Sequence, residues 1–351
     1  MRAAMFQGPG NLSVIDADEI KPTDNEIKIR VESCATCGTD AKIFHHGHPR
    51  LEPPQIIGHE ITGQIVEVGK KQSGFSIGDR VQIIAAVPCE DCWACQAGKQ
   101  GICINQTSMG YQYAGGFAEE MIVPESVIKA NGVNQIPEGL SFDEASVAEP
   151  LACALNAQKL VGVSSGDIVL VMGAGPIGCL HVRLARALGA SKVILADVNG
   201  ARLQLSANKV NPDRAVDMSS ENLEKVVLSE TSGVGPSVII TAAPSGEAQE
   251  QAIRMVAPGG RVSFFGGLPK DKPMITVDSN LVHYKELILA GANGSSPAQN
   301  REALKLIASG AVPVADLITH RLPLENVAEA ITAVTSGEAI KVVIKPQGVA
   351  V

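Results

Sequence analysis

The sequence predicts an α/β protein with two domains, one rich in short strands and one built on a doubly wound parallel sheet. Its 351 residues are enough for two domains that each bury a core. The first part of the chain holds short apolar runs between glycine-containing turns, which is typical of β structure. The middle part alternates strand-length apolar runs with helical patterns, which is typical of parallel βαβ units.

The predicted parallel sheet begins with a strand, a glycine-rich turn and a helix. Residues 168–172 are apolar without interruption, as expected for a strand that is covered on both faces. Gly173, Gly175 and Gly178 follow in the pattern Gly-x-Gly-x-x-Gly. Pro176 suits the first turn of a helix, where a missing N–H costs nothing. The glycines let a ligand approach the backbone, and the helix N-terminus offers N–H donors to an anion.

An acidic residue stands at the end of the second strand of this unit. Residues 193–196 form a buried apolar run that ends at Asp197, 19 residues after Gly178. Strand, glycine array, helix and acid together predict a dinucleotide-binding site. A carboxylate at Asp197 can accept hydrogen bonds from both adenosine ribose hydroxyls and would repel a 2′-phosphate, so NAD is favoured over NADP. Arg202 leaves an alternative open, since an arginine near this acid could serve either cofactor.

Composition and charge argue against several classes of function. The formal net charge is −8, there is no basic block and aromatic residues make up 3%, so nucleic acid is not an expected partner. No apolar run approaches the ~18 residues of a membrane span. The N-terminus lacks the apolar core of a signal peptide, which predicts a cytoplasmic location. In a reducing compartment, eight cysteines favour metal binding or catalysis over disulfides.

Four cysteines form the strongest metal-binding pattern of the chain. Their spacing is Cys-x2-Cys-x2-Cys-x7-Cys, at Cys89, Cys92, Cys95 and Cys103. Four thiolates close a tetrahedral cage and leave no position for a substrate, so we expect a structural zinc that holds a lobe together. A disulfide framework or an iron–sulfur cluster would use the same residues, and both stay open as alternatives.

A second, mixed set of candidate ligands precedes this lobe. Cys34 and Cys37 form a Cys-x-x-Cys pair, which could be redox-active, half of a zinc site, or one functional and one buried cysteine. With His59 and Glu60, Cys37 offers a thiolate, an imidazole and a carboxylate, which suits a catalytic zinc with an open coordination position. Because adjacent residues of a strand point to opposite faces, the backbone must turn at 59–60, or one of the two is only an intermittent ligand.

Further elements follow from hydrophobic periodicity and turn signals. Ser141 and Glu144 form a capping box that begins a helix. A strand over 341–345 lies outside the predicted nucleotide sheet and is expected to return to the first domain. The other predicted strands span 12–15, 27–31, 238–241, 262–266 and 288–290, and helices are predicted for 151–155 with 160–163, 177–188, 248–256 and from 303 onward.

Together these motifs resemble the zinc-containing medium-chain dehydrogenases, and among them the branch of the sorbitol and threonine dehydrogenases. The resemblance covers nearly the whole chain. It implies a GroES-like catalytic domain over about 1–153 and 294–351, with the zinc lobe at about 89–103, and a Rossmann NAD-binding domain over about 154–293. It rests on the motifs Cys37-Gly38-Thr39-Asp40, Gly58-His59-Glu60, the four-cysteine lobe, Glu149-Pro150-Leu151, the glycine array and Asp197.

The resemblance also implies which residues hold the catalytic zinc. Cys37 and His59 match two ligands of the family, and a carboxylate supplies the third. Glu60 can bind zinc directly or hold it in an alternative position, and Glu149 stands where the polyol branch has a glutamate that touches zinc or its bound water. Cys153, four residues after Glu149, competes for this role, but the Glu-Pro-Leu motif aligns Glu149.

Other family positions concern the proton relay and the substrate. Thr39 matches the hydroxyl that relays the proton of the alcohol. Lys42 replaces the histidine that often ends this relay. The loop over 45–50, which holds His45 and Arg50, is either a solvated loop or, with Lys42, a contact for a polar or anionic substrate. Cys34 lies where the family has no ligand and is assigned to packing.

The cofactor is expected at the carboxyl ends of the parallel strands, where ligands of such sheets bind. The predicted cofactor-binding residues are Gly173, Gly175, Pro176, Ile177, Gly178, Asp197, Arg202, Phe265, Gly266, Ala292 and Asn293.

The implied activity is the NAD-dependent oxidation of a secondary alcohol or a sorbitol-like polyol to a ketone. Zinc would polarise the substrate hydroxyl, and the carbinol hydrogen would leave as hydride to the nicotinamide. Two alternatives stay open: a sugar-alcohol-phosphate dehydrogenase, which needs a basic pocket, and a non-enzymatic zinc-binding module. We expect a small-molecule substrate and a homodimer or homotetramer, without nucleic acid or membrane as partners. Substrate specificity is expected in the loops around 44–52, 107–117 and 290–297.

Overall fold

The computed structural model describes residues 1–349, and these fall into two compact units. One comprises Met1–Ala152 with the chain from Gly294 onward, and the other comprises Cys153–Asn293.

The strands are β1 (Arg2–Gly8), β2 (Asn11–Asp16), β3 (Ile27–Ala35), β4 (Gln55–Ile56), β5 (Glu60–Val68), β6 (Arg80–Ile83), β7 (Ala86–Val87), β8 (Thr107–Ser108), β9 (Glu120–Val123), β10 (Val133–Gln135), β11 (Ile168–Met172), β12 (Lys192–Asp197), β13 (Arg214–Asp217), β14 (Val238–Thr241), β15 (Arg261–Phe264), β16 (Ile288–Gly291), β17 (Ile318–Pro323) and β18 (Lys341–Lys345). The helices are α1 (Gly38–His46), α2 (Trp93–Gln96), α3 (Glu125–Lys129), α4 (Phe142–Ser146), α5 (Ala148–Leu160), α6 (Pro176–Ala187), α7 (Gly200–Val210), α8 (Leu223–Glu230), α9 (Gly246–Met255), α10 (Ser279–Tyr284), α11 (Pro297–Ala308) and α12 (Val327–Ser336).

The first unit is built on a seven-stranded sheet. Its strand order is β10-β6-β5-β3-β18-β17, and β9 also pairs with β3. The strand β18 pairs antiparallel with β3, with Val343 opposite Ala35 and Ile344 opposite Cys34. The strand near the end of the chain therefore belongs to this unit, as the sequence predicted. A three-stranded sheet, β2-β1-β4, and the pair β7-β8 complete the β structure of this unit.

The core of the first unit is mainly aliphatic. Phe6 and Phe117 are fully buried in it, together with Ile27, Ile29 and Ile61. The strand β3 is buried along most of its length because it has β5, β9 and β18 as neighbours. Each fully buried side chain of this size contributes roughly 1.5–3 kcal/mol relative to an exposed one. The segments that carry Cys37 and Glu60 therefore extend from a firmly packed sheet.

The second unit contains a six-stranded parallel sheet in the order β13-β12-β11-β14-β15-β16. The strand order reverses beside β11, where Val169 lies opposite Val193 on one side and Val238 on the other. The side chains of 169–172 are at most 1% exposed, as expected for a strand covered on both faces. The helix α6 packs against β11 and β12. The predicted doubly wound parallel sheet is confirmed.

The start of α4 agrees with the prediction from the sequence, whereas the start of α11 and the end of β15 differ from it. Ser141 caps α4 and forms the predicted capping box with Glu144. The helix α11 begins at Pro297 and not near 303, because Ser296 and Gln299 form a second capping box that the prediction missed. The strand β15 ends at Phe264, two residues earlier than predicted.

Most other predicted elements agree with the structure, but α5 ends at Leu160 and does not include the predicted helical residues 161–163. The predicted strands 12–15, 27–31, 238–241 and 288–290 lie within β2, β3, β14 and β16. The helix predicted for 248–256 is α9, which starts earlier because Ser245 is its N-cap. Within residues 1–349, no helix has the length and hydropathy that a membrane span requires.

Candidate metal centres and dinucleotide site

The four cysteines of the lobe converge on one point. Their sulfur atoms all lie within 4.8 Å of one another. The Cys92 sulfur lies 3.6 Å from that of Cys95 and 3.8 Å from that of Cys103. A tetrahedral zinc site with Zn–S bonds of about 2.3 Å needs sulfur atoms about 3.8 Å apart, whereas a disulfide needs about 2.05 Å. The geometry therefore fits a tetrahedral ion and not a disulfide.

Local backbone structure holds these thiols in place. Cys92 is the N-cap of the short helix α2, and Cys95 lies within that helix. The backbone N–H of Cys92 donates to the Cys89 sulfur over 3.4 Å, and that of Cys89 donates to the Cys103 sulfur over 3.3 Å. Backbone N–H groups lower the pKa of Cys92 to about 6, whereas burial raises the pKa of Cys95 to about 12. A bound cation would allow all four thiols to ionise together.

A second group of possible ligands lies in the first unit and contains Cys37, His59 and Glu60. One ligand atom from each lies within 4.8 Å of the others. Cys37 is the N-cap of α1, and Glu60 is the first residue of β5. Gly58, with φ of +92°, makes the backbone turn just before His59. A Cβ at Gly58 would lie 2.9 Å from the Phe117 ring, so this turn requires glycine. The turn explains how two adjacent residues reach one centre.

Asp40 connects two of these residues and was not singled out from the sequence. It is fully buried, and its Oδ2 accepts the backbone N–H of Cys37 over 2.8 Å. Its Oδ1 lies 3.3 Å from Nδ1 of His59. A carboxylate beside one imidazole nitrogen orients the ring and leaves the other nitrogen for a metal. The available signal was its position in the same short motif, three residues after Cys37.

Lys341 lies beside Glu60 and was also missed. The two form an ion pair, and Lys341 and Glu60 are 3% and 0% exposed. The Lys341 ammonium also donates to the carbonyl of Thr36 over 2.8 Å, across 305 residues of sequence. Burial raises the pKa of the Glu60 carboxyl well above its ordinary value, and the Lys341 charge opposes that rise. Glu60 Oε1 is buried and accepts no hydrogen bond within residues 1–349, so a ligand position remains on this carboxylate.

The charges around Cys37 favour its thiolate. Burial alone would raise the pKa of this thiol, but its contact with His59 and the charge of Lys341 lower it below the ordinary value. Thiolate, imidazole and an incompletely bonded carboxylate are ligands that zinc takes in catalytic sites. The residues present therefore fit a zinc ion.

The other residues predicted for this centre lie outside the group of Cys37, His59 and Glu60. Glu149 is buried on α5, and its charge acts on Glu60 and Lys341, but it is not part of the 4.8 Å group. Thr39 is half-buried and Lys42 is exposed, both on α1. Cys153, the competing candidate, is half-buried on α5 and is also outside the group.

Cys34 is fully buried in β3, and burial raises the pKa of its thiol. Its sulfur lies close under Gly58 and Gly116, where an added Cβ would come within 3.0 Å and 2.9 Å of it. These contacts agree with the packing role that the sequence assigned to Cys34.

The glycine array in the second unit shows three separate backbone requirements. Gly173 has φ of +119°, a conformation that favours glycine. A Cβ at Gly175 would meet no atom within 4 Å, so open space lies in front of it. A Cβ at Gly178 would lie 1.8 Å from the Gly173 carbonyl oxygen, so α6 can approach β11 only with glycine here. These are the roles of the three glycines in a dinucleotide-binding turn.

Asp197 lies at the carboxyl end of β12, next to this turn. Its Oδ2 accepts the backbone N–H of Ala174 over 2.7 Å, and its Oδ1 accepts that of Asn199 over 2.8 Å. The carboxylate is thus fixed beside the glycine turn. Arg202 is half-buried on α7, and its backbone N–H donates to the N-cap Asn199.

The remaining predicted cofactor residues follow strands of the same sheet. Pro176 and Ile177 form the first turn of α6 and are half-buried. Phe265 and Gly266 come directly after β15, and the Phe265 ring lies edge-on to His181 with centroids 4.9 Å apart. In the same way, Ala292 and Asn293 follow β16. Since β11, β14, β15 and β16 are parallel, these residues lie at the carboxyl edge of the sheet.

Comparisons with known proteins agree with this architecture. The family model of the alcohol dehydrogenase GroES-like domain matches residues 23–132, and that of zinc-binding dehydrogenases matches residues 176–309. The chain is 33% identical over 350 residues to the L-threonine 3-dehydrogenase of Pyrococcus horikoshii, with 98% of both chains covered. It is 30% identical over 340 residues to the sorbitol dehydrogenase of Halalkalibacterium halodurans, with 97% of both covered.

A solved structure is also similar. It comes from Sinorhizobium meliloti 1021, is described as a zinc-binding dehydrogenase and was solved bound to NADP. Its TM-score is 0.91 at 30% identity, with 98% of this chain and 99% of that chain covered. These relatives support a zinc alcohol dehydrogenase that uses a nicotinamide cofactor. The chain belongs to the zinc-dependent medium-chain dehydrogenase family.

Proposed function

We propose that this chain oxidises a secondary alcohol or polyol to a ketone, with NAD as the hydride acceptor. The observation that carries this proposal is the convergence of Cys37, His59 and Glu60 within 4.8 Å, in the same chain as a fixed acid beside a dinucleotide-type glycine turn. The three residues, with Glu149 as an alternative carboxylate, would hold a zinc ion that would supply Lewis acidity to a substrate hydroxyl, and a nicotinamide cofactor would supply hydride acceptance.

The residues around this centre have separate tasks. Asp40 fixes the backbone of Cys37 and lies against His59, which orients two ligands at once. Lys341 balances the charge of Glu60, and both side chains are buried. We assign to the Thr39 hydroxyl the acceptance of the substrate proton and to Lys42, which is exposed, its transfer to solvent.

We assign a structural zinc ion to Cys89, Cys92, Cys95 and Cys103. The sulfur spacing supports this assignment, and four thiolates leave no coordination position for a substrate. The homo-oligomeric state and the cytoplasmic location stay predictions from the sequence.

The substrate class is inferred from the character of the centre. A glutamate at position 149 in the Glu-Pro-Leu motif makes the surroundings of the metal more polar than a cysteine would. A polar site suits substrates with several hydroxyls, because each buried hydroxyl needs a hydrogen-bond partner. The relatives named for threonine and sorbitol support a substrate that is not ethanol.

A substrate screen tests this proposal. Purified protein with zinc and NAD should oxidise sorbitol-like polyols or vicinal diols with a higher kcat/KM than ethanol, measured by the absorbance of the reduced cofactor. Higher kcat/KM for ethanol or long primary alcohols than for every polyol would refute the substrate class. No reduction of NAD or NADP by any alcohol would refute the dehydrogenase itself and favour a non-enzymatic zinc protein.

The preference for NAD is inferred from Asp197. Replacing it in Asp197→Asn keeps an oxygen acceptor for the Ala174 N–H but removes the negative charge. Charge-assisted hydrogen bonds to the ribose would be lost, so kcat/KM for NAD should fall about 10- to 100-fold while that for NADP falls less or rises. Equal use of both cofactors by the wild-type protein would overturn this assignment and leave Arg202 as the main determinant.

A further inference from the structure

A basic and aromatic corner lies on two loops of the first unit. His48, Arg50 and Tyr111 form it, and we call it the Tyr111 corner. The His48 and Tyr111 rings meet edge-on, with centroids 4.8 Å apart and an interplanar angle of 89°. The Arg50 guanidinium lies 5.7 Å from the centroid of the same Tyr111 ring. Two side chains that can donate hydrogen bonds therefore lie against the Tyr111 ring, and the Tyr111 hydroxyl is a third donor.

Hydrogen bonds fix the two loops to each other. The Gln112 side chain donates to the Arg50 carbonyl over 2.7 Å, and the Arg50 backbone N–H donates to Nδ1 of His48 over 3.2 Å. The Gln55 side chain donates to the Tyr111 carbonyl over 2.8 Å. The backbone at Arg50 and at Tyr111 is therefore held in place by the fold.

The Tyr111 corner lies next to the candidate zinc ligands. Gly110 packs against the backbone of Gly58, since a Cβ at Gly110 would lie 3.2 Å from the Gly58 carbonyl oxygen. Gly58 directly precedes His59, and Tyr111 directly follows Gly110. The charges of His59 and Arg50 both act on the Tyr111 hydroxyl, so this hydroxyl lies near the candidate metal ligands as well as near the guanidinium.

The positive charge of this corner is not neutralised by the protein. Arg50 is exposed and makes no ion pair with any carboxylate in the part of the chain that the structure describes. Three further basic side chains, Lys42, His45 and His46, are exposed on α1, which leads into the same loop. Burial raises the pKa of Tyr111 to about 12, so its phenol stays protonated and can donate a hydrogen bond. An unpaired guanidinium with a nearby O–H donor matches a planar or tetrahedral oxyanion.

We propose that Arg50 and Tyr111, with His48 beside them, bind an anionic group of the substrate, a carboxylate or a phosphate, while its hydroxyl faces Cys37 and His59. This inference rests on the proposed dehydrogenase function, because it assigns the substrate of that same centre. A neutral polyol would leave the guanidinium without an ionic partner. A substrate with both an anionic group and a hydroxyl would contact Arg50 with the first and the candidate zinc ligands with the second.

Matched pairs of substrates test this proposal. One pair is 3-hydroxybutyrate and its neutral amide, and the other is sorbitol 6-phosphate and sorbitol. Steady-state kcat/KM should be measured with the wild-type protein, with Arg50→Met and Tyr111→Phe, and with Lys21→Met as a control that removes one exposed positive charge elsewhere. The two pairs separate a carboxylate from a phosphate as the recognised group.

The wild-type protein and Lys21→Met should prefer the anionic member of at least one pair by about 10- to 100-fold, as charge-assisted hydrogen bonds allow. Arg50→Met should abolish most of this preference by raising KM for the anionic member, whereas Lys21→Met should keep the preference. Equal kcat/KM within both pairs, or a preference that survives Arg50→Met and Tyr111→Phe, would overturn the proposal.

Direct binding separates this proposal from the proposed function. If no member of either pair is oxidised, the dehydrogenase assignment fails for these substrates, and butyrate and sorbitol 6-phosphate are then titrated calorimetrically, each alone, into the zinc-loaded protein. Binding to the wild-type protein that is lost in Arg50→Met supports the anion site independently of turnover. Binding that is equal in both proteins, or absent from both, contradicts it.

Discussion

The two groups of metal-ligating side chains differ in how the chain assembles them. The lobe uses four cysteines between positions 89 and 103, held mainly by one short helix and local N–H···S contacts. The other centre joins Cys37, before α1, with His59 and Glu60, at the start of β5, and its charge is balanced by Lys341 from β18. The lobe is a local structure with a closed set of ligands. The second centre forms only in the tertiary structure. Its candidate ligands are of different types, and Glu60 Oε1 accepts no hydrogen bond within residues 1–349.

We infer from this difference that the lobe stabilises the fold and that the second centre performs chemistry. Four like ligands in a closed set contribute only stability, since no coordination position remains for a substrate. Mixed ligands brought from separate elements need support from other side chains, here Asp40 and Lys341. Variants of single residues in each centre test this division.

Removing one ligand from each centre gives the sharpest contrast. In Cys37→Ser, we expect kcat/KM to fall at least about a thousandfold, since Lewis-acid catalysis contributes several kcal/mol. Metal analysis should show the loss of one of about two zinc ions per chain, with the melting temperature nearly unchanged.

The matched variant in the lobe is Cys95→Ser. Loss of the structural zinc should destabilise the first unit by about 3 kcal/mol, which lowers its melting temperature by roughly 6–12 °C. A Cys95→Ser protein with full thermal stability and both zinc ions would contradict the structural role of the lobe.

Replacing the buried Lys341 tests whether the second centre depends on a residue that is distant in sequence. In the zinc-free Lys341→Met protein, the buried Glu60 carboxylate loses its ionic partner, so the free energy of unfolding should fall by about 3 kcal/mol. Urea unfolding followed by circular dichroism measures this change. The double variant Lys341→Met, Glu60→Leu should recover most of the loss, because it removes both charges. If the double variant is as unstable as the single one, charge balance is not the reason.

Asp143 contacts residues of β3, β17 and β18, and replacing it gives a pH-dependent test of how these strands are held together. Asp143 accepts hydrogen bonds from Ser33 on β3 and Lys345 on β18, and it pairs with Arg321 on β17. Burial would raise the pKa of the Asp143 carboxyl, but these partners together hold it below the ordinary value. Asp143→Asn should lower the free energy of unfolding by roughly 1.5–3 kcal/mol at neutral pH.

The sign of the pH effect follows from the lowered pKa. The stabilisation by Asp143 is complete above the pKa of about 3.9 in the unfolded chain, and it is lost as the pH falls through the lower pKa of the folded state. The difference in unfolding free energy between the wild-type protein and Asp143→Asn should therefore shrink only below about pH 4. A difference that already disappears near pH 6 would show that another group is responsible.

The smallest expected effect concerns the orientation of His59. In Asp40→Asn, the carboxylate beside Nδ1 loses its charge, and zinc affinity of this centre should fall about 10- to 100-fold. Competition with a chromophoric chelator measures this affinity separately for the two zinc ions. The lobe should keep its affinity, since Asp40 contacts none of its cysteines.

Local sequence patterns predicted much of this protein. The strand β11, the glycine turn, the acid at the end of β12 and the four-cysteine lobe depend on residues that are near in sequence. Hydrophobic periodicity, backbone conformation and ligand spacing act over such short distances, so they can be read directly from the chain. The start of α11 was predicted incorrectly, although the capping box that marks it is present in the sequence.

Only the tertiary structure decided the surroundings of the second centre. Lys341 reaches Glu60 because β18 pairs with β3, and Tyr111 lies near His59 because Gly110 packs against Gly58. Nothing in the local sequence marks a buried lysine in a terminal strand as the partner of a glutamate near position 60. Such pairs depend on strand pairing and close backbone packing between distant segments, and the charge of a buried group depends on all the neighbours that this packing brings together.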